Sequence, residues 1–135
     1  MPLIQWNDRY SVGVSTLDSQ HRQLIGILNE LHEAMSSARG KEVQSGIVQR
    51  LGTYAATHLE TEEKILKTQS YPGFTQHKAQ HDAYIAKMRE FQEQLRKGEG
   101  GVPVALMTFL KDWWTRHILT NDKEYSGFLK ARGVA

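Results

Sequence analysis

Four stretches of this chain repeat apolar residues at steps of three and four, and each is bounded by residues that stop a helix. In the first, Leu17, His21, Leu24, Ile25, Leu28, Leu31 and Met35 form one stripe; Ser15, Thr16 and Asp18 are N-cap candidates and Gly40 a C-cap candidate. The second carries Val43, Ile47, Leu51, Tyr54, Ala55, His58, Glu62, Ile65 and Leu66 on one face, until Ser70, Tyr71, Pro72 and Gly73 break it. A third runs through His77, His81, Tyr84, Ile85, Met88, Phe91 and Leu95 to Gly98, Gly100 and Gly101. The fourth opens with Pro103 in a first-turn position and passes Leu106, Phe109, Leu110, Trp113, His117 and Ile118 to reach Tyr125, Phe128 and Leu129. The spacing predicts helices over about 16–39, 41–69, 75–97 and 103–131, with residues 1–14 as an extended N-terminal arm packed on the surface.

Connections of a few residues force neighbouring helices to run antiparallel. The expected fold is therefore all-α, an up-down-up-down antiparallel four-helix bundle, and the 135 residues make one domain over 1–135. Each stripe is consumed by the bundle core, which leaves none to dock on a membrane. No run approaches about 18 apolar residues, so no integral membrane segment is expected, and the N-terminus lacks a secretory pattern. A cytoplasmic location and a monomer are the expectations. The 17 basic and 15 acidic residues are interspersed and the net charge is +2, which argues against nucleic acid as a partner.

Cysteine is absent, so any metal must be held by nitrogen and oxygen. Candidates occur in pairs at helical spacing: His58 and Glu62, and His77 and His81, each stand one turn apart on one face. In an antiparallel bundle the start of helix one, the end of two, the start of three and the end of four meet at one end. His21, the two pairs, and His117 with Asp122 all fall there, within roughly two turns of a common layer. His32 is on nearly the same face as His21 but ~16 Å further along the axis, and is left out. A single buried histidine is usually a satisfied core residue. Five in one layer with two carboxylates are too many for one ion, and point to a dinuclear centre bridged by Glu62 and Asp122. Imidazole suits iron, zinc or copper.

His117 and Asp122 resist regular geometry. Five residues at ~100° each turn Asp122 about 140° away from His117, so both can face the same metals only through a π-type turn or a bend between Ile118 and Asp122. His32-Glu33 lacks the second histidine of a zinc-protease motif, the glycines near 100 do not form a phosphate loop, and no G-x-S-x-G elbow occurs.

The set His21, His58-x3-Glu62, His77-x3-His81 and His117-x4-Asp122, with Trp6, Gly13 and the LDSQH stretch ahead of it, resembles the hemerythrin family, and the single-domain length resembles bacteriohemerythrins. The resemblance implies two iron ions (Fe2+/Fe3+) with an oxo or hydroxo bridge. One would take His77, His81 and His117; the other His21 and His58; Glu62 and Asp122 would bridge. It further implies reversible O2 binding as hydroperoxide on the iron with the open position. Charge favours reversibility, because electrons and a proton move internally and the buried net charge stays at about +1. Histidine-rich, carboxylate-poor ligation gives less support to high-valent iron than the four-glutamate centres of di-iron enzymes, so no enzyme activity is expected.

Around the open position the spacing predicts an apolar wall of Leu24, Leu59, Trp113 and Ile118, each also readable as plain core. Tyr125 is placed either to hydrogen-bond a ligating carboxylate or to cap the bundle end, and Trp114 is assigned only to packing. An oxygen carrier, store or delivery protein follows, serving an unidentified oxygen-consuming enzyme. The alternatives are an O2 or redox sensor, which normally carries a signalling domain, and a protein handling iron, peroxide or nitric oxide.

Overall fold

The computed structural model describes residues 4–37, 41–98 and 102–135. Helix α1 spans Ser15–Ser36, α2 Lys41–Thr68, α3 Phe74–Arg96 and α4 Val102–Arg116; a π-helical turn over His117–Asp122 leads into α5, Lys123–Ala131. Helix α4, the π turn and α5 form the fourth rod of an antiparallel four-helix bundle. Helix α1 packs on α2 and α4, and α3 on α2 and α4, which closes the ring. No strand occurs among the described residues, and none of their helices is long and apolar enough to cross a membrane. The expected cap at Gly40 and the break at Gly100 and Gly101 lie outside the described residues.

The arm is more than a surface strap. Val12 and Val14 are buried, and so are Ile4 and Tyr10. Asn29 clamps the backbone of Ile4 from both sides, donating to its carbonyl at 2.8 Å and accepting from its N–H at 2.9 Å. At the start of α1 the capping differs from expectation. Val14 occupies the N-cap without a side-chain bond, and Ser15 and Thr16 are already helical. Asp18 instead reaches back to the Val12 N–H at 2.8 Å and the Ser11 hydroxyl at 2.6 Å. A carboxylate in the first turn thus satisfies donors upstream of the helix while sitting at its positive end.

Between α2 and α3 the break starts two residues before Pro72. Ser70 has φ 54°, the Tyr71 N–H bonds the Leu66 carbonyl at 2.9 Å and the Ser70 N–H bonds Lys67 at 3.0 Å. This is a Schellman closure with a serine where glycine is preferred. Tyr71 then packs edge-on against Phe128 and Tyr125 of α5, with ring centroids 5.2 and 6.3 Å away.

The core falls into two apolar clusters. One holds Leu24, Leu28, Leu31, Leu51, Leu59, Tyr84, Leu106, Leu110, Trp114 and Ile118, among others; the second holds Val12, Val14, Leu17, Leu66, Tyr125 and Leu129. Along α1, His21 sits between Leu17 of one and Leu24 of the other; along α2, His58 and Glu62 precede Leu66. A polar layer therefore separates the two apolar halves.

Candidate metal centre

Every member of that layer is at most 4% exposed: His21, His58, Glu62, His77, His81, His117 and Asp122. Helix α1 supplies His21, α2 His58 and Glu62, and α3 His77 and His81. His117 and Asp122 are the first and last residues of the π turn, where the five-residue spacing required a departure from α geometry. One extra residue per turn brings Asp122 back over His117, and its Oδ1 lies 3.0 Å from His117 Nε2. His32 stays outside the layer.

The seven side chains make two overlapping groups. Glu62, His77, His81, His117 and Asp122 form one, and His21, His58, Glu62 and Asp122 the other; within each, the donor atoms lie within 4.8 Å of one another. Each shared carboxylate divides its oxygens between the groups. Glu62 Oε1 is 2.5 Å from His77 Nε2, 3.1 Å from His81 Nε2 and 3.9 Å from His117 Nε2, while Oε2 is 3.3 Å from His58 Nε2 and 3.7 Å from His21 Nε2. Asp122 Oδ1 is 3.2 Å from His77 Nε2, and its Oδ2 is 3.2 Å from His21 Nε2. Adjacent ligands of an octahedral ion at about 2.1 Å stand roughly 3.0 Å apart, so most of these separations match neighbouring corners of a coordination sphere.

Hydrogen bonding alone does not satisfy the layer. His21 Nε2, His58 Nε2 and both Asp122 oxygens are buried without a hydrogen-bond partner. Each such group costs on the order of 1–3 kcal/mol, so four converging in one place require a further occupant. A cation fits. Burial lowers the basicity of His21 and His77, but Asp122 and Glu62 more than reverse this and raise both to about 9. Burial also pushes Glu62 up, yet the imidazoles of His117, His21, His58 and His77 hold it well below the usual carboxylate range. Asp122, pushed up by burial and by Glu62, is held down by His117 and His21. At His21 and His77 the two carboxylates favour positive charge, while burial disfavours it at His58, and metal ions and protons compete for the layer.

Beyond the direct donors, His58 Nδ1 contacts Gln20 Oε1 at 2.7 Å and His81 Nδ1 contacts Glu63 Oε2 at 2.9 Å, which turns each Nε2 inward. The Tyr125 hydroxyl donates to Glu62 Oε2 at 3.1 Å; burial and the two carboxylates push its own ionisation far up, so it remains a donor.

A family profile described as the hemerythrin HHE cation binding domain matches residues 12–129. The chain belongs to the hemerythrin family. It is similar to the bacteriohemerythrin of Stenotrophomonas maltophilia (strain R551-3), 30% identical over 131 residues, covering 97% of this chain and 84% of that protein. The myohemerythrin of Sipunculus nudus is 27% identical over 125 residues, covering 92% of each. The solved structure of a wild-type hemerythrin superimposes with a TM-score of 0.86 at 26% identity, over 93% of this chain and 96% of that one.

In this hemerythrin-family chain the expected apolar wall needs one correction. Leu24, Leu59 and Ile118 are fully buried in one cluster. Trp113 is not on the His21 and His58 side: its ring stacks on His117 at 4.3 Å and 14°, partly exposed at the surface. Trp114 takes the inner place, 1% exposed, with its ring 6.0 Å from His58 and its indole N–H donating to the Tyr84 hydroxyl at 3.0 Å. Residues three and four before His117 flank its face on opposite sides, so the spacing allowed either tryptophan to turn inward. Gln20, Glu63 and Tyr84 also escaped the sequence reading. Tyr84, one turn beyond His81, carried a spacing signal; Gln20 and Glu63, adjacent in sequence to ligand candidates, carried none.

Proposed function

We propose that the layer holds two iron ions and that the protein binds O2 reversibly, as a carrier, store or delivery protein. The observation that carries this reading is the division of the Glu62 and Asp122 oxygens between a five-residue and a four-residue donor group. With an oxo or hydroxo bridge as a further ligand, His77, His81 and His117 and the two carboxylates would fill six positions around one ion, and His21 and His58 with the same carboxylates would leave the other one ligand short. When bound, a ferrous pair supplies two electrons to O2 and takes them back on release.

The chain's own residues do the rest. Leu24, Leu59, Ile118 and Trp114 line the short position with hydrocarbon and keep water away from it. Because the Trp114 N–H is committed to Tyr84, the indole offers no proton to a ligand there. Tyr125 holds Glu62 by its Oε2 and fixes the bridge orientation. Two carboxylates against five imidazoles give limited anionic support to oxidised iron, which supports binding over oxygenation.

The test is an absorption spectrum of the iron-loaded ferrous protein taken without air, in air, and after O2 is withdrawn. Charge-transfer bands that appear and then vanish are expected. Bands that persist after deoxygenation would sink the carrier reading in favour of a sensor or an enzyme.

A further inference from the structure

The outer nitrogens of the histidines are supported unequally. The acceptor facing His81 Nδ1 is the carboxylate of Glu63, which can only accept, so the ring proton is fixed on Nδ1 and the Nε2 lone pair faces the centre. Behind His58 stands the neutral carboxamide of Gln20, itself held by Thr61. His21 Nδ1 is buried with no partner at all. The three-histidine group thus has an anion behind it and the two-histidine group has none. Glu63 belongs to neither donor group, and its side chain is only 20% exposed. Its other charged neighbour among the described residues is Lys78, 3.9 Å away and half exposed, too loose a contact to explain why a carboxylate is held against His81.

We propose that Glu63 makes the two metal positions unequal, so that His77, His81 and His117 take the first divalent cation and His21 and His58 take the second. This rests on the metal-centre reading above. A carboxylate accepting from an imidazole raises the electron density on the opposite nitrogen and locks the ring, which strengthens that one donor. The first ion also neutralises much of the charge on the shared Glu62 and Asp122, so the second enters a less attractive site. Five donors against four favour the same order. The contribution of Glu63 must therefore be isolated by charge, and Glu63→Gln does so because it keeps an acceptor of the same shape.

Metal-free protein is titrated with Cd2+ and followed by calorimetry and cadmium-113 NMR, with helicity checked by circular dichroism. In the unsubstituted protein two resonances appear in succession, the first correlating with the His81 ring. E63Q weakens the first step by 10–100-fold and leaves the second unchanged. E63A, which also frees the ring, weakens it further, and Gln20→Glu strengthens the second step and narrows the gap. Equal constants in E63Q and the parent, a parallel loss at both steps, or a first resonance on His58 overturns the ordering. Absence of any cadmium uptake by the parent overturns the metal centre itself.

Discussion

The hydrogen bond between Trp114 and Tyr84 is a buried polar contact inside the larger apolar cluster, and its worth can be measured. Both residues are at most 2% exposed and the N–O distance is 3.0 Å. Tyr84→Phe removes the acceptor and strands a buried indole N–H, which costs about 1–3 kcal/mol. Trp114→Phe strands the Tyr84 hydroxyl and leaves a void as well, about 1 kcal/mol more than the lost bond alone. In the double variant both polar groups are gone, so it is less destabilised than the sum of the singles, with a coupling of about 1–2 kcal/mol. Urea unfolding of the metal-free proteins gives the four free energies of the cycle. The iron-loaded Tyr84→Phe protein should also oxidise irreversibly faster, since the freed N–H could donate a hydrogen bond to a bound ligand and favour its departure as an anion. A coupling below about 0.3 kcal/mol would refute the view that this bond holds the indole in place.

Ser70→Gly should stabilise the protein by about 1 kcal/mol, because the left-handed φ of 54° strains any side chain. Thermal unfolding reads this as a rise of about 3–5 °C, and no rise would mean Ser70 is not strained. Tyr125→Phe removes the hydroxyl that donates to Glu62 and should weaken metal binding about 10–100-fold while leaving the helical spectrum intact; unchanged affinity would reduce Tyr125 to packing. The metal-free protein should lose stability between about pH 6.5 and 9. His21 and His77 are raised to about 9 in the folded state, so their contribution is full below 6.5 and is lost as pH climbs through the folded value. His58, which burial lowers, acts only below 6.5, and the depressed Glu62 and Asp122 contribute above the usual carboxylate range and are lost in acid. Urea midpoints that rise from pH 6.5 to 9 would contradict the sign.

What the sequence made legible follows from geometry that is local. The four stripes and the His58–Glu62 and His77–His81 pairs depend only on a helix period, and the bundle topology follows from short connections. The π turn was legible for the opposite reason: a step of five residues from His117 to Asp122 fits no regular α-helix. Three features were not legible. Which of Trp113 and Trp114 turns inward depends on how α4 is rotated against α2 and α3, a tertiary choice between flanking positions. Gln20 and Glu63 reach His58 and His81 across helix pairs, 38 and 18 residues away in sequence. At α1, side-chain capping was expected from Ser15, Thr16 or Asp18, yet Val14 takes the N-cap and Asp18 accepts instead from the Val12 N–H and the Ser11 hydroxyl of the arm.

The two apolar clusters could have been one. Packing Leu17, Leu24, Leu59 and Leu66 through a continuous core would bury no charge, and replacing buried ionic groups by hydrocarbon is often neutral or stabilising. The polar layer instead leaves five buried donor and acceptor atoms without hydrogen-bond partners, and it costs a wide turn in the fourth rod. Nothing in the apolar packing repays this, since the clusters on either side close over themselves. A bound cation would: each ion would meet several of these atoms at once and replace the protons that His21 and His77 otherwise hold. Stability should therefore rise with metal concentration by mass action, by about 2.7 kcal/mol at a hundredfold excess over the dissociation constant for a single site. An unfolding midpoint indifferent to added divalent metal would mean that the layer is satisfied as it stands.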